Sequence, residues 1–174
     1  GRTFSGCSGL TGSLEIPSTI SSIGYAAFEG CSGFTGRLAI PNSVTRIEGK
    51  TFTGCSGLSG VLTIPANVVS IGESAFSGCS GFTGSLAFPS SVEKIGESAF
   101  SGCSGFSGSL TIPEGISVIE GWTFSGCTGF TGNLTIPTEI TNISTAAFKG
   151  CSGFTGFPTL ARWHLRVAAV SMVV

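Results

Sequence analysis

A cysteine recurs every 24 residues along this chain, at Cys7, Cys31, Cys55, Cys79, Cys103, Cys127 and Cys151. So regular a period constrains the fold more than any other feature, because self-similarity at 20 to 50 residues is the mark of stacked repeats. Written from its cysteine, each unit reads C-S/T-G-L/F-T/S-G-x-L-x-I/F-P-x-x-I/V-x-x-I-x-x-x-A/T-F-x-G, and six complete units fit between Cys7 and Gly150. Gly1 to Gly6 match the end of a unit, with Phe4 standing where Phe28 and Phe52 stand, so the array is expected to begin in mid-repeat as a fragment of a longer one. The reading is a solenoid over 1–156 followed by a non-repeat tail or cap over 157–174.

An apolar position that recurs once per coil has only its own copies to pack against, since one unit cannot bury its face alone. Two columns, the one through Phe4, Phe28, Phe52, Phe76, Phe100, Phe124 and Phe148 and the one through Leu10, Phe34, Leu58, Phe82, Phe106, Phe130 and Phe154, hold 12 of the 14 phenylalanines. Within a unit, L-x-I has the period of a short strand, as in Leu62-Thr63-Ile64, and Pro65 with its equivalents ends it for want of an N–H. Strands are therefore expected at Leu14–Ile16, Leu38–Ile40, Leu62–Ile64, Leu86–Phe88, Leu110–Ile112 and Leu134–Ile136, paired in parallel. The stretch I-G-x-x-A-F reads as a second extended segment or a turn, and C-S-G-F-T-G as a tight corner. The fold class expected is a repeat solenoid of mainly short parallel strands and turns, with little helix.

The string Leu62-Thr63-Ile64-Pro65 through Ile71-Gly72-Glu73-Ser74-Ala75-Phe76-Ser77-Gly78-Cys79 resembles the BspA-like leucine-rich repeats, and the likeness extends over Gly1 to Gly156. Units of that family are usually one residue shorter; the extra residue falls near Gly-x-Leu. The resemblance implies a leucine-rich-repeat solenoid on a secreted or cell-surface protein, tied to adhesion and protein binding. It carries architecture further than function.

Composition limits the partners. A formal net charge of −1 supplies no field for nucleic acid. The longest apolar run, Val167 to Val174, is too short to span a bilayer, and residue 1 opens no signal peptide. Catalytic chemistry finds little material. His164 is the single histidine, in the tail, without a group to orient it. Ser91-Val92-Glu93-Lys94 has the form S-x-x-K but occupies loop positions that other repeats fill with unrelated residues, and the glycine-rich corner lacks the lysine of a phosphate-binding loop. Seven cysteines with no C-x-x-C spacing favour a column of buried thiols, although neighbouring coils lie within the reach of a disulfide. Asn133-Leu134-Thr135 and Asn142-Ile143-Ser144 are sequons, to be read as acceptors only if the source is a secreting eukaryote and as chance matches otherwise.

What remains is a non-enzymatic surface for a protein partner, with no cofactor, metal or small-molecule substrate expected; a purely structural spacer is the alternative. Side chains flanking the core leucines point away from the core. The binding face is accordingly expected at Ser13, Glu15, Arg37, Ala39, Val61, Thr63, Ser85, Ala87, Ser109, Thr111, Asn133 and Thr135, and a rival patch at Tyr25, Lys50 and Trp122. The threonines at 63, 111 and 135 resemble an ice-binding ladder, but Glu15, Ala39 and Ala87 interrupt it.

Overall fold

The computed structural model describes residues 1–160. They form a parallel β-solenoid of about six coils in which no helix occurs among the described residues. In chain order the strands are β1 (Gly12–Glu15), β2 (Phe34–Ala39), β3 (Arg46–Ile47), β4 (Gly60–Val61), β5 (Ser70–Ile71), β6 (Phe82–Thr83), β7 (Lys94–Ile95), β8 (Val118–Ile119), β9 (Gly132–Ile136), β10 (Asn142–Ile143) and β11 (Phe154–Leu160). Every pairing is parallel and joins one coil to the next.

Three sides make up each coil. The first is the leucine side. Leu14 pairs with Leu38 and Glu15 with Ala39, Leu86 bridges Leu110, and Thr111 bridges Thr135. These contacts keep the 24-residue register. Just before the leucine the register differs: Gly12 lies opposite Phe34 and Gly60 opposite Phe82, two residues out of step. Gly12, Gly60, Gly84 and Gly132 take positive φ here, whereas Gly36 and Gly108 do not. Such bulges leave residues unpaired and interrupt a ladder. The strand expected at Leu62–Ile64 is replaced by the shorter β4, ending at Val61, and those expected at Leu86–Phe88 and Leu110–Ile112 are reduced to isolated bridges, while β1, β2 and β9 run through the core leucine of their coils. The second side is the column β3, β5, β7 with β8 and β10, each bringing one isoleucine inward.

The third side settles what I-G-x-x-A-F becomes: consecutive tight turns, stacked coil on coil. Alternate N–H groups serve two purposes. Ala27 and Glu29 donate within the coil to Gly24 and Ala26, while Ala26, Phe28 and Gly30 donate to Gly49, Thr51 and Thr53 of the next coil at 2.7–2.9 Å. The same three rungs recur from Lys50, Phe52 and Gly54 to Glu73, Ala75 and Ser77. The turn requires positive φ twice per coil. Gly30 and its equivalents supply one; the other falls on Arg2, Ala26, Lys50, Ser74, Ser98, Trp122 and Ala146, at φ 52–61°. Gly33 and its equivalents are glycine for a different reason, because a Cβ at Gly33 would collide with the carbonyl oxygens of Ser8 and Leu10 in the coil before.

Inside, the phenylalanine column stacks as expected. Neighbouring rings from Phe4 to Phe148 lie 5.2–5.8 Å apart and within 17° of parallel. The second column stacks from Phe82 through Phe106 and Phe130 to Phe154. Phe88, which replaces the strand isoleucine, sets its edge against Phe100 at 5.5 Å.

Backbone pairing runs on into the expected tail or cap: Thr159 pairs with Thr135 and Leu160 with Ile136, still 24 residues apart. Backbone pairing carries the register past the point where the side-chain pattern fails, with Pro158 standing at the place of the core leucine. The rest of the expected tail, including His164, lies outside the described residues.

Candidate binding surface

All twelve residues of the expected face are exposed, on the leucine side of six successive coils. Their alternation with Leu14, Leu38, Leu62, Leu86, Leu110 and Leu134, all buried, follows from the strand's period of two. Neighbours along this side touch. Arg37 N–H donates to Ser13 Oγ at 3.2 Å, Ser109 N–H to Ser85 Oγ at 3.0 Å, and the hydroxyls of Ser85 and Ser109 lie 3.3 Å apart. The Arg37 stem passes close to Gly60, and the Val61 methyl close to Gly84. Val61 is the most exposed large apolar side chain among the described residues, at 60%. Glu15 and Arg37 are the only charges among the twelve, so the face offers shape and hydrogen-bonding groups more than a field.

Toward the last coils this side deepens into an open cleft of about 720 Å³. Ser109, Thr111, Asn133 and Thr135 line it together with Glu114, Thr138 and Glu139 from the loops that follow the proline. Reading the strand pattern alone missed those three, since they stand at variable loop positions; their one signal was that they directly follow the strand. A run of hydroxyls at Thr11, Thr35, Ser59, Thr83, Ser107, Thr131 and Thr155 borders the face, and in the repeat these are the T/S of C-S-G-F-T-G.

The rival patch is not one patch. Tyr25 and Lys50 sit on adjacent coils of the turn side, but Trp122 lies three coils beyond Lys50. At the ~4.8 Å spacing of paired strands, that places it about 14 Å further along the axis.

The cysteines are free thiols, buried in every coil but the first. Each inner thiol donates to a phenylalanine carbonyl of the preceding coil, from Cys31 Sγ to Phe4 O through Cys151 Sγ to Phe124 O, at 2.9–3.1 Å. That carbonyl also accepts the N–H of its own coil's cysteine, as Phe28 O does from Cys31. Desolvation pushes the Cys55 thiol up to about 12 and Cys151 to about 11, and Cys79, Cys103 and Cys127 rise with them. Thiols so held are packing groups, not nucleophiles. Among the described residues no three His, Cys, Asp or Glu side chains are grouped to hold a metal ion, and no helix is long and apolar enough to cross a membrane.

Comparison with known proteins agrees with this architecture. A leucine-rich repeat protein from Bacteroides ovatus ATCC 8483 superposes with a TM-score of 0.79 at 32% identity, over 90% of this chain and 39% of that one. The T. pallidum leucine rich repeat protein gives 0.72 at 30% identity, over 88% of this chain and 69% of its own. This chain thus spans well under half the length of the first. No curated protein sequence matches it. The family model for the BspA type leucine rich repeat region matches residues 1–107 and 59–159 in 6 copies, and the chain belongs to that family.

Proposed function

We propose that this solenoid is a non-enzymatic, protein-binding or adhesion module of a secreted or cell-surface protein, and that it engages its partner through the leucine side. The observation that carries the reading is the continuous exposure of the twelve outward residues, on a backbone held by parallel pairing and ending in the cleft that Thr111 and Thr135 help to line. A solenoid presents such an extended surface already ordered, so binding loses little conformational entropy. Few large anchors stand on it, which points to modest affinity per coil, raised where several coils are engaged at once.

The test is a pull-down of the full chain against surface and extracellular-matrix proteins, followed by titration of whatever is captured. Thr63→Arg and Thr111→Arg, which keep the strand positions but place a bulky charge on the face, are expected to weaken binding by more than about tenfold, or about 1.4 kcal/mol. Unchanged binding in both would remove the leucine side from the interface. Failure to capture any partner would favour a structural spacer, a reading supported by the scarcity of Trp, Tyr and clustered Arg on the face.

A further inference from the structure

The cleft at the end of the leucine side differs from the rest of that side in its charge. In the first four coils the loop after the proline carries Ser18-Thr19, Asn42-Ser43, Ala66-Asn67 and Ser90-Ser91, all neutral; in the last two it carries Glu114-Gly115 and Thr138-Glu139. The fold does not ask for glutamate here. In the second, third and fourth coils a side chain of this loop ties it to the coil before. Ser43 Oγ donates to Ile20 O at 2.6 Å, Asn67 Nδ2 to Asn42 O at 2.8 Å and Ser91 Oγ to Val68 O at 2.6 Å. Gly115 and Glu139 stand at the place of those donors, and neither a bare Cα nor a carboxylate has a proton to give. The tie is thus given up in the two coils whose loops line the cleft, and each of those loops places an exposed carboxylate there instead.

Resting on the leucine side as the binding face, we propose that the cleft receives an arginine or lysine side chain from an extended segment of the protein partner, its charge set between Glu114 and Glu139. The only charged side chains that line the cleft are these two carboxylates, and the hydroxyls of Ser109, Thr111, Thr135 and Thr138 beside them accept N–H bonds as well. A guanidinium or ammonium group carries donors alone, which suits a lining of acceptors. Arg37, the one cation among the outward twelve, lies three coils before Ser109. That is about 14 Å at the spacing of paired strands, beyond the Debye length of about 8 Å in physiological salt, so it does not offset the two carboxylates. Among the described residues no third His, Cys, Asp or Glu joins them to make a metal site. Hydrogen bonds between a cation and a carboxylate are roughly twice as strong as neutral ones. A basic side chain held here gives the leucine side the anchor that its neutral positions do not provide.

Titration of the full chain with the peptide acetyl-Gly-Arg-Gly-Arg-Gly amide, followed by amide NMR shifts, tests this. The controls are the same peptide with citrulline, which keeps the shape of arginine without its charge, and calcium alone. Shifts centred on Thr111, Asn133, Thr135 and Glu139 are expected with the arginine peptide and with neither control. Glu114→Gln combined with Glu139→Gln should weaken binding about tenfold, the loss of the charge-assisted bonds expressed as affinity. Both glutamates are exposed, so the melting midpoint should hold and lost binding then reports charge and not the fold. No binding, equal binding of the citrulline peptide, the same shifts from calcium, shifts centred on Glu73 and Glu97 of the turn side, or unchanged affinity in the double variant would overturn the proposal. A captured partner weakened by Thr63→Arg but indifferent to the glutamine pair would sink this inference alone; one indifferent to both would sink the leucine-side reading with it.

Discussion

Replacing Phe100 by alanine tests the stacked core where it is most continuous. The ring is fully buried, with Phe76 at 5.2 Å on one face, Phe124 at 5.8 Å on the other and the edge-on Phe88 at 5.5 Å. Truncation removes the transfer free energy of the ring and leaves a cavity between rigid neighbours, a loss of about 3–5 kcal/mol for a buried Phe. The upper half of that range applies here, because both flanking rings also lose a stacking partner worth about 0.5–1.5 kcal/mol per pair. Neighbouring coils cannot close the gap, since their spacing is set by the turn-side hydrogen bonds of Phe76 to Ala99 and Phe100 to Thr123. Against a typical total stability of about 5–15 kcal/mol, such a loss is severe. Urea unfolding followed by circular dichroism measures it, and hydrogen exchange at the Phe76 and Phe100 amides localises it. Phe4→Ala is the control: that ring is 44% exposed with a single stacking neighbour, and its loss should be much smaller. A loss below about 1 kcal/mol for Phe100→Ala would refute the stacking argument.

The thiol column should make the fold alkali-sensitive: burial holds the inner thiols neutral in the folded chain well above the value of 9.0 they have when unfolded, so stability present below pH 9 is lost as pH rises past it. Between pH 9 and 10 the loss should be about 1 kcal/mol per sealed thiol, measurable as a falling denaturation midpoint that Cys103→Ala flattens. Ser98→Gly, at φ 57°, should stabilise by about 0.5–1 kcal/mol, the relief of left-handed strain less the added freedom of the unfolded chain; an unchanged or lower melting temperature would count against it. Gly81→Ala should do the reverse, by at least about 1–3 kcal/mol, because its Cβ would press on the Ser56 and Leu58 carbonyl oxygens.

Much of this was legible in the sequence, and the parts that were not share a cause. Periodicity identifies which residues share a column, so the Phe stacks, the buried thiols and the outward strand residues could all be read from the 24-residue spacing. Backbone geometry leaves a fainter trace. Nothing in Arg2, Ala26, Lys50, Ser74, Ser98, Trp122 and Ala146 signals a shared left-handed conformation, because these residues have neither glycine's freedom nor a common chemistry; neighbouring coils impose it through hydrogen bonds. The bulges before the leucines were equally hidden, since every coil has the same glycine there but only some take positive φ. The pairing as far as Leu160 leaves no trace in the repeat pattern, because backbone register persists where side-chain identity does not.

The two glycine columns show why binding would fall to the variable positions. Gly33 and its equivalents let adjacent coils approach closely because they have no Cβ to meet the carbonyl oxygens of the coil before, and Gly30 and its equivalents let the turn close; with the Phe stack and the thiol bonds they use most of the repeat for coil-to-coil contact. What is left over in each coil is the outward pair on the leucine side and a few positions on the turn side. Substitutions there disturb no column, so each coil can carry a different residue on an unchanged backbone. A partner proposed for such a chain would read the order of the variable residues along the axis, which changes coil by coil while the solenoid that presents them stays the same.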